Sequence, residues 1–158
     1  MSRRGNFKKV EVEADSVYKN VLVAKLVNRS MHDGKKSVAQ KEIYRALEII
    51  KEKGDDPLKI FSTAIDNIKP EMEVKPRRIG GAVYQVPSVV RGERKESLAI
   101  RWLVSCARTK SNTEFHTFGE KLAVEIMDAA KGEGLAIKKK TEMEKMAEAN
   151  KAFAHFKW

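Results

Sequence analysis

Apolar residues recur at helical intervals along most of the chain, and stop signals divide them into six runs. Val21, Leu22 and Leu26, with Lys25 and Arg29 between them, predict a first helix over about 18–31 that stops before Asp33-Gly34. Ser37 is placed to cap a second, where Ile43, Ala46, Leu47 and Ile50 form a stripe ending at Gly54. Asp56 followed by Pro57 is a cap with proline at the first helical position. The third helix then carries Leu58, Phe61, Ala64, Ile65 and Ile68 inward and closes at Pro70. A fourth, over about 92–109, aligns Leu98, Trp102, Leu103 and Cys106. Thr117 and Glu120 make a capping box for the fifth, with Leu122, Ala123, Ile126, Met127 and Ala130 inward and Gly132 and Gly134 at its end. The sixth runs over about 135–150, with Met143, Met146 and Ala147 on its packing face.

The helical pattern breaks at 75–91, KPRRIGGAVYQVPSVVR. Two runs of strand formers flank Gly80-Gly81, and adjacent glycines accept the positive φ angles of a two-residue hairpin turn. With that loop, Ile79 faces Ala82, Arg78 faces Val83 and Arg77 faces Tyr84. One face then holds Lys75, Arg77, Tyr84 and Val86; the other holds Val74, Pro76, Arg78, Val83 and Gln85. Neither is purely apolar, so the ribbon is expected to stand out from the body. The expected fold is mainly α: a single domain of about six helices with one protruding β-hairpin between the third and fourth. Residues 1–17 form a basic arm, 18–152 the helical domain with the hairpin at 72–88, and 153–158 a tail.

Charge sharpens this picture. The formal net charge is +10 over 158 residues, and it is concentrated. Residues 1–9 hold Arg3, Arg4, Lys8 and Lys9 without an acid. Residues 75–110 hold nine cations (Lys75, Arg77, Arg78, Arg91, Arg94, Lys95, Arg101, Arg108 and Lys110) against Glu93 and Glu96. The remaining 113 residues carry 19 basic and 20 acidic side chains, so they are close to neutral. Charge gathered on an arm and one segment marks polyanion binding rather than a solvated surface. No run approaches the roughly 20 apolar residues of a membrane span, and no lipidation or secretory signal is present. The lone Cys106 permits no internal disulfide, in keeping with a reducing cytosol. Nucleic acid is the leading partner.

Catalysis finds little support. His32, His116 and His155 are scattered without metal-ligand spacing, and no nucleophile signature or cofactor motif is present. Gly34-Lys35-Lys36-Ser37 resembles the tail of a phosphate loop but lacks the upstream glycine and strand. Lys35 and Lys36 are better read as cations on a helix–helix turn, where backbone N–H groups can also meet a phosphate; a solvated turn is the plainer alternative. Trp102 and Cys106, one turn apart on an apolar stripe, read as core. Lys138, Lys139 and Lys140 read equally as a solvated face or an RNA contact, because Glu142, Glu144 and Lys145 follow closely.

Four stretches, LVAKLVNRSMHDGKKSVAQ (22–40), the hairpin string (75–91), LAIRWL (98–103) and KMAEANKAFAH (145–155), together resemble the bacterial-type ribosomal protein seven family of the small subunit. The resemblance covers nearly the whole chain. It implies a helical domain with a protruding ribbon, not an enzyme and without a cofactor. Such a protein binds the 3′ major domain of 16S rRNA in the cytoplasmic ribosome, nucleates head assembly, and lies near the exit-site tRNA, the mRNA path and neighbouring head and platform proteins. Carried onto this chain, rRNA contacts fall on Arg3, Arg4, Lys8 and Lys9 of the arm, Lys35 and Lys36 of the turn, and Lys75, Arg77 and Arg78 of the ribbon. Arg91, Arg94 and Lys95 at the fourth helix's start join them. Ile79, Gly80, Gly81 and Tyr84 near the ribbon tip are implied to approach tRNA. The chain departs from the family at EADSVYKN (13–20), where Pro-Asp-Pro is usual, at Gly92, where proline is common, and at KSNTEFHTF (110–118), usually richer in arginine. Recognition is expected to be of RNA shape through phosphates and 2′-hydroxyls. A winged helix-turn-helix DNA regulator and an acidic-protein interaction module are the alternatives.

Overall fold

A computed structural model describes residues 11–156. Its elements run α1 (Val21–Ser30), α2 (Lys36–Glu52), α3 (Pro57–Ile68), β1 (Met72–Ile79), β2 (Ala82–Val89), α4 (Glu93–Thr109), α5 (Phe118–Ala130), α6 (Leu135–Ala149) and a closing 3₁₀ helix (Lys151–Phe156). The architecture is the mainly helical one expected, with a single antiparallel hairpin between α3 and α4. Arg3, Arg4, Lys8 and Lys9 lie outside the described residues.

Local chemistry explains most boundaries. Asp56 accepts from the N–H groups of Leu58 and Lys59, with Pro57 opening α3. At α5 the capping box is complete: the Glu120 N–H donates to the Thr117 hydroxyl, and the Thr117 N–H to the Glu120 carboxylate. Two expected starts move. α1 begins at Val21 rather than 18, because Lys19 is left-handed (φ 48°) and the Asn20 side chain caps Leu22. Ser37 is not the cap of α2, which starts at Lys36, two residues earlier than that cap implies, behind Lys35 with no side-chain cap bond.

The core lies among α1 to α5. α4 and α5 are at its centre, with Leu98, Ala99, Ile100, Leu103, Cys106, Leu122, Ala123 and Ile126 buried. Trp102 and Cys106 are core residues, and burial pushes the Cys106 thiol up. α6 covers this core with Ala136 and Met143, and Ala147 is also buried, while Met146 is 49% exposed and belongs to the surface, contrary to expectation. Lys140 takes a place on the packing side by donating to the Asn67 carbonyl.

The hairpin has the anticipated register, Ile79 with Ala82 and Arg77 with Tyr84. Gly80 (φ 56°) and Gly81 (φ 94°) supply the two positive angles of its turn. Since Ile79 and Ala82 close a two-residue loop as a hydrogen-bonded pair, the pairs alternate down the ladder. Pro76 and Pro87 therefore both occupy positions whose backbone nitrogen points outward. No ladder bond is lost; the exposed Pro76 discourages pairing of β1's edge with another strand, while Pro87 is buried.

Candidate nucleic-acid interface

The ribbon is anchored at its base and open at its end. Glu73 is buried, and on the same face of β1 and β2 so is Val86, whereas Lys75 to Arg78 are exposed. A Cβ at Gly80 or Gly81 would meet nothing within 4 Å, so the glycines serve the turn's φ angles and the tip is solvent-facing. Arg78 is exposed, and its cross-strand partner Val83 is 64% exposed. Ile79 and Tyr84 are half-buried.

Tyr84 has partners that sequence reasoning missed. Its ring lies 5.2 Å from that of Phe153 and 5.4 Å from that of Phe156, so the closing 3₁₀ helix flanks the Tyr84 face of the ribbon. The spacing of Phe153 and Phe156 in the tail was the available signal; nothing in it named β2 as the partner.

A second missed residue is Glu73. Arg94 Nε lies 2.9 Å from both of its carboxylate oxygens, and Nη2 lies 2.8 Å from Oε2. Lys75 Nζ lies 2.8 Å from Oε1. Burial pushes this carboxyl up, but the bonds from Arg94 and Lys75 outweigh that and hold it below its ordinary value of 4.5. Arg94 and Lys75 are thus tied to one buried carboxylate, and the ribbon's base is joined to the first turn of α4. Arg91, exposed, and Lys95, half-buried, belong to the same corner. Gly92 between them has a positive φ of 48°, which proline could not adopt.

The structure thereby gathers Lys75, Arg91, Arg94 and Lys95, with Arg77 and Arg78 further along the ribbon. Lys35 and Lys36 do not join them. They follow Ser30, whose carbonyl accepts from Arg108 in the last turn of α4, so they lie toward the other end of that helix. Both lysines are exposed. The N–H of Lys35 donates to His32 and that of Lys36 to Gly34, so those two groups serve the turn itself.

Between the two clusters runs a groove of about 660 Å³ lined by Lys25, Asn28 and Arg29 of α1, Glu93, Ser97 and Ile100 of α4, and Glu11 and Val12. Glu11 and Val12 bring the described start of the chain to this groove. Asp15, further on, accepts from Tyr44 Oη at 2.7 Å and from the N–H groups of Val17 and Tyr18, which ties the segment to α2. Burial pushes Asp15 up, and these bonds more than reverse it, leaving it below its ordinary value.

Other cations of the basic segment are held by partners within the domain. Lys110 Nζ lies 2.9 Å from Oε2 of the fully buried Glu125 and 3.4 Å from Asp128. Burial alone would lower the Lys110 ammonium's pKa, and Glu125 raises it instead. Lys121, also buried, donates to the Lys110 carbonyl and to Asn112 and so holds the 110–118 loop. Arg108 sits 5.9 Å from the Phe118 ring centre besides bonding Ser30.

A model of the family described as Ribosomal protein S7p/S5e matches residues 2–151. The chain belongs to this family. Among its relatives are proteins called small ribosomal subunit protein uS7 from Carboxydothermus hydrogenoformans, 56% identical, and Acetivibrio thermocellus, 55% identical. A third from Caldicellulosiruptor bescii is 54% identical, and in all three the match spans 159 residues and covers the whole of both chains. The S7p/S5e family is one of ribosomal structural proteins rather than enzymes, and no described helix is long and apolar enough to cross a membrane.

Proposed function

We propose that this chain, a structural constituent of the small subunit in the cytoplasmic ribosome, binds 16S rRNA directly in the 3′ major domain. There it nucleates assembly of the subunit head, beside neighbouring head and platform proteins. The observation that carries this reading is the corner where the open ribbon meets α4, in a chain from a ribosomal family: Lys75, Arg77 and Arg78 stand on the ribbon, and Arg91, Arg94 and Lys95 at the adjoining start of α4. Lys35 and Lys36 form a second contact toward the far end of α4, and Arg3, Arg4, Lys8 and Lys9, which lie outside the described residues, add further contacts. The tip at Ile79, Gly80 and Gly81, with Tyr84 behind it, approaches exit-site tRNA near the mRNA path. Cations spread over a rigid body suit the phosphates and 2′-hydroxyls of a folded RNA better than the base edges of one short sequence. Membership in a ribosomal family also favours rRNA over the duplex DNA of a winged helix-turn-helix regulator.

Two measurements test this. The chain should sediment with small subunits in cell extract. Its affinity for a 3′-domain rRNA fragment should fall steeply with salt, with a log–log slope on the order of −4 to −5 if about six phosphates are engaged. A flat salt dependence, or duplex DNA as the copurifying nucleic acid, would reject the reading.

A further inference from the structure

Glu73 is the one acid on the ribbon's strands, it is 5% exposed, and it is compensated twice over. A buried carboxylate needs a partner, and one cation suffices for local neutrality. Here Arg94 and Lys75 both close on it, so the three groups together leave one positive charge in excess. The way Arg94 docks decides where that excess points. Its Nε and Nη2 both engage Glu73, so the guanidinium is gripped along one side. Arginine has five N–H donors in a rigid planar fork. The Nη1 pair and the second Nη2 hydrogen remain, and the side chain is 51% exposed. That outer edge is the one that pairs with a phosphate in bidentate fashion.

We propose that Glu73 is a positioning residue for RNA recognition, acting through Arg94 and Lys75: it locks the guanidinium with its free edge toward the phosphate backbone and fixes the ribbon's base against α4. This rests on the rRNA-binding reading above. It makes a prediction whose sign opposes simple electrostatics. Glu73→Gln adds one positive charge to a protein that binds a polyanion, so charge alone predicts tighter binding everywhere. Positioning predicts weaker binding to the structured target and no loss on an unstructured one.

The experiment measures affinity of the full chain for a 3′-domain rRNA fragment and, in parallel, for heparin, with helical circular dichroism recorded for each variant. Glu73→Gln should weaken fragment binding about three- to tenfold, the worth of one ordinary net hydrogen bond, while heparin binding stays equal or tightens. In an Arg94→Ala background the same change should cost far less, because the group it acts through is gone. Arg94→Lys, at an exposed site, keeps the charge without the fork and should reproduce the selective loss even if Glu73→Gln destabilises the fold. Fragment binding by Glu73→Gln as tight as wild type or tighter overturns the proposal. So does an undiminished loss in the Arg94→Ala background, or wild-type binding by Arg94→Lys. Failure of the unaltered chain to bind the fragment would instead remove the functional reading and this inference with it.

Discussion

The two ends of α4 carry the same kinds of residue and use them in opposite directions. At its start Arg91, Arg94 and Lys95 stand beside the ribbon's base, and the one carboxylate that engages Arg94 leaves half of its side chain in solvent. At its end Lys110 closes inward on the buried Glu125, and Arg108, though exposed, is held by the Ser30 carbonyl and lies against the Phe118 ring. The difference lies in the partner's position. Glu73 sits at the margin of the core, where a cation can neutralise it from outside. Glu125 has no exposure at all, so its cation must come in to meet it. Positive charge in a sequence therefore counts toward RNA binding only after its internal partners are known.

This contrast can be broken experimentally. The largest effect belongs to Lys110→Met, which leaves Glu125 buried without a cation and should cost about 3–5 kcal/mol in urea unfolding. RNA affinity of the folded fraction should be unchanged; a selective loss of affinity would mean that the inner end of α4 also reaches RNA. Next comes Arg77→Ala with Arg78→Ala. The pair should weaken rRNA-fragment binding by about tenfold or more and flatten the salt slope by about 2, with the helical signal retained. Helical signal lost with affinity intact would reverse that assignment. Arg108→Ala should show the mirror image, about 1–2 kcal/mol of stability from its bond to Ser30 and its contact with Phe118, at constant RNA affinity.

The smallest effect is a pH dependence. Glu73 has a folded pKa below its unfolded value, so the stability it contributes is complete above about the ordinary 4.5 and is lost as pH falls through the lowered value. Glu73→Gln should therefore be less stable than wild type near neutrality, and the two should converge in acid. Parallel acid limbs in a chemical-denaturation series would show that the clasp contributes nothing to folding.

The elements themselves were legible because their signals are local. Asp56-Pro57, the Thr117–Glu120 box and Gly80-Gly81 each act within a few residues, and each appears in the structure as read. The errors at α1 and α2 arose where the backbone departs from such signals: a lysine in the left-handed region at 19, and a turn that closes on its own carbonyls at 32–36. Met146 was misplaced because α6 packs through small residues, which leave no strong apolar stripe to read. In the candidate interface, the cations could be named from the sequence, but Glu73 could not be recognised as the partner of Arg94 and Lys75, nor Phe153 and Phe156 as those of Tyr84.

The amino-acid order alone determined a helical protein with a glycine-tipped ribbon, the pairing of that ribbon's strands, and a surplus of positive charge in its arm and central segment. Capping, turn geometry and hydrophobic periodicity all operate over a few residues, so no knowledge of the fold is needed to apply them. Only the tertiary structure decided which cations face outward. Arg94 meets Glu73 across 21 residues of chain and Arg108 meets Ser30 across 78, and such partners are chosen by helix packing, which brings distant groups within bonding distance and excludes the water that would otherwise screen them.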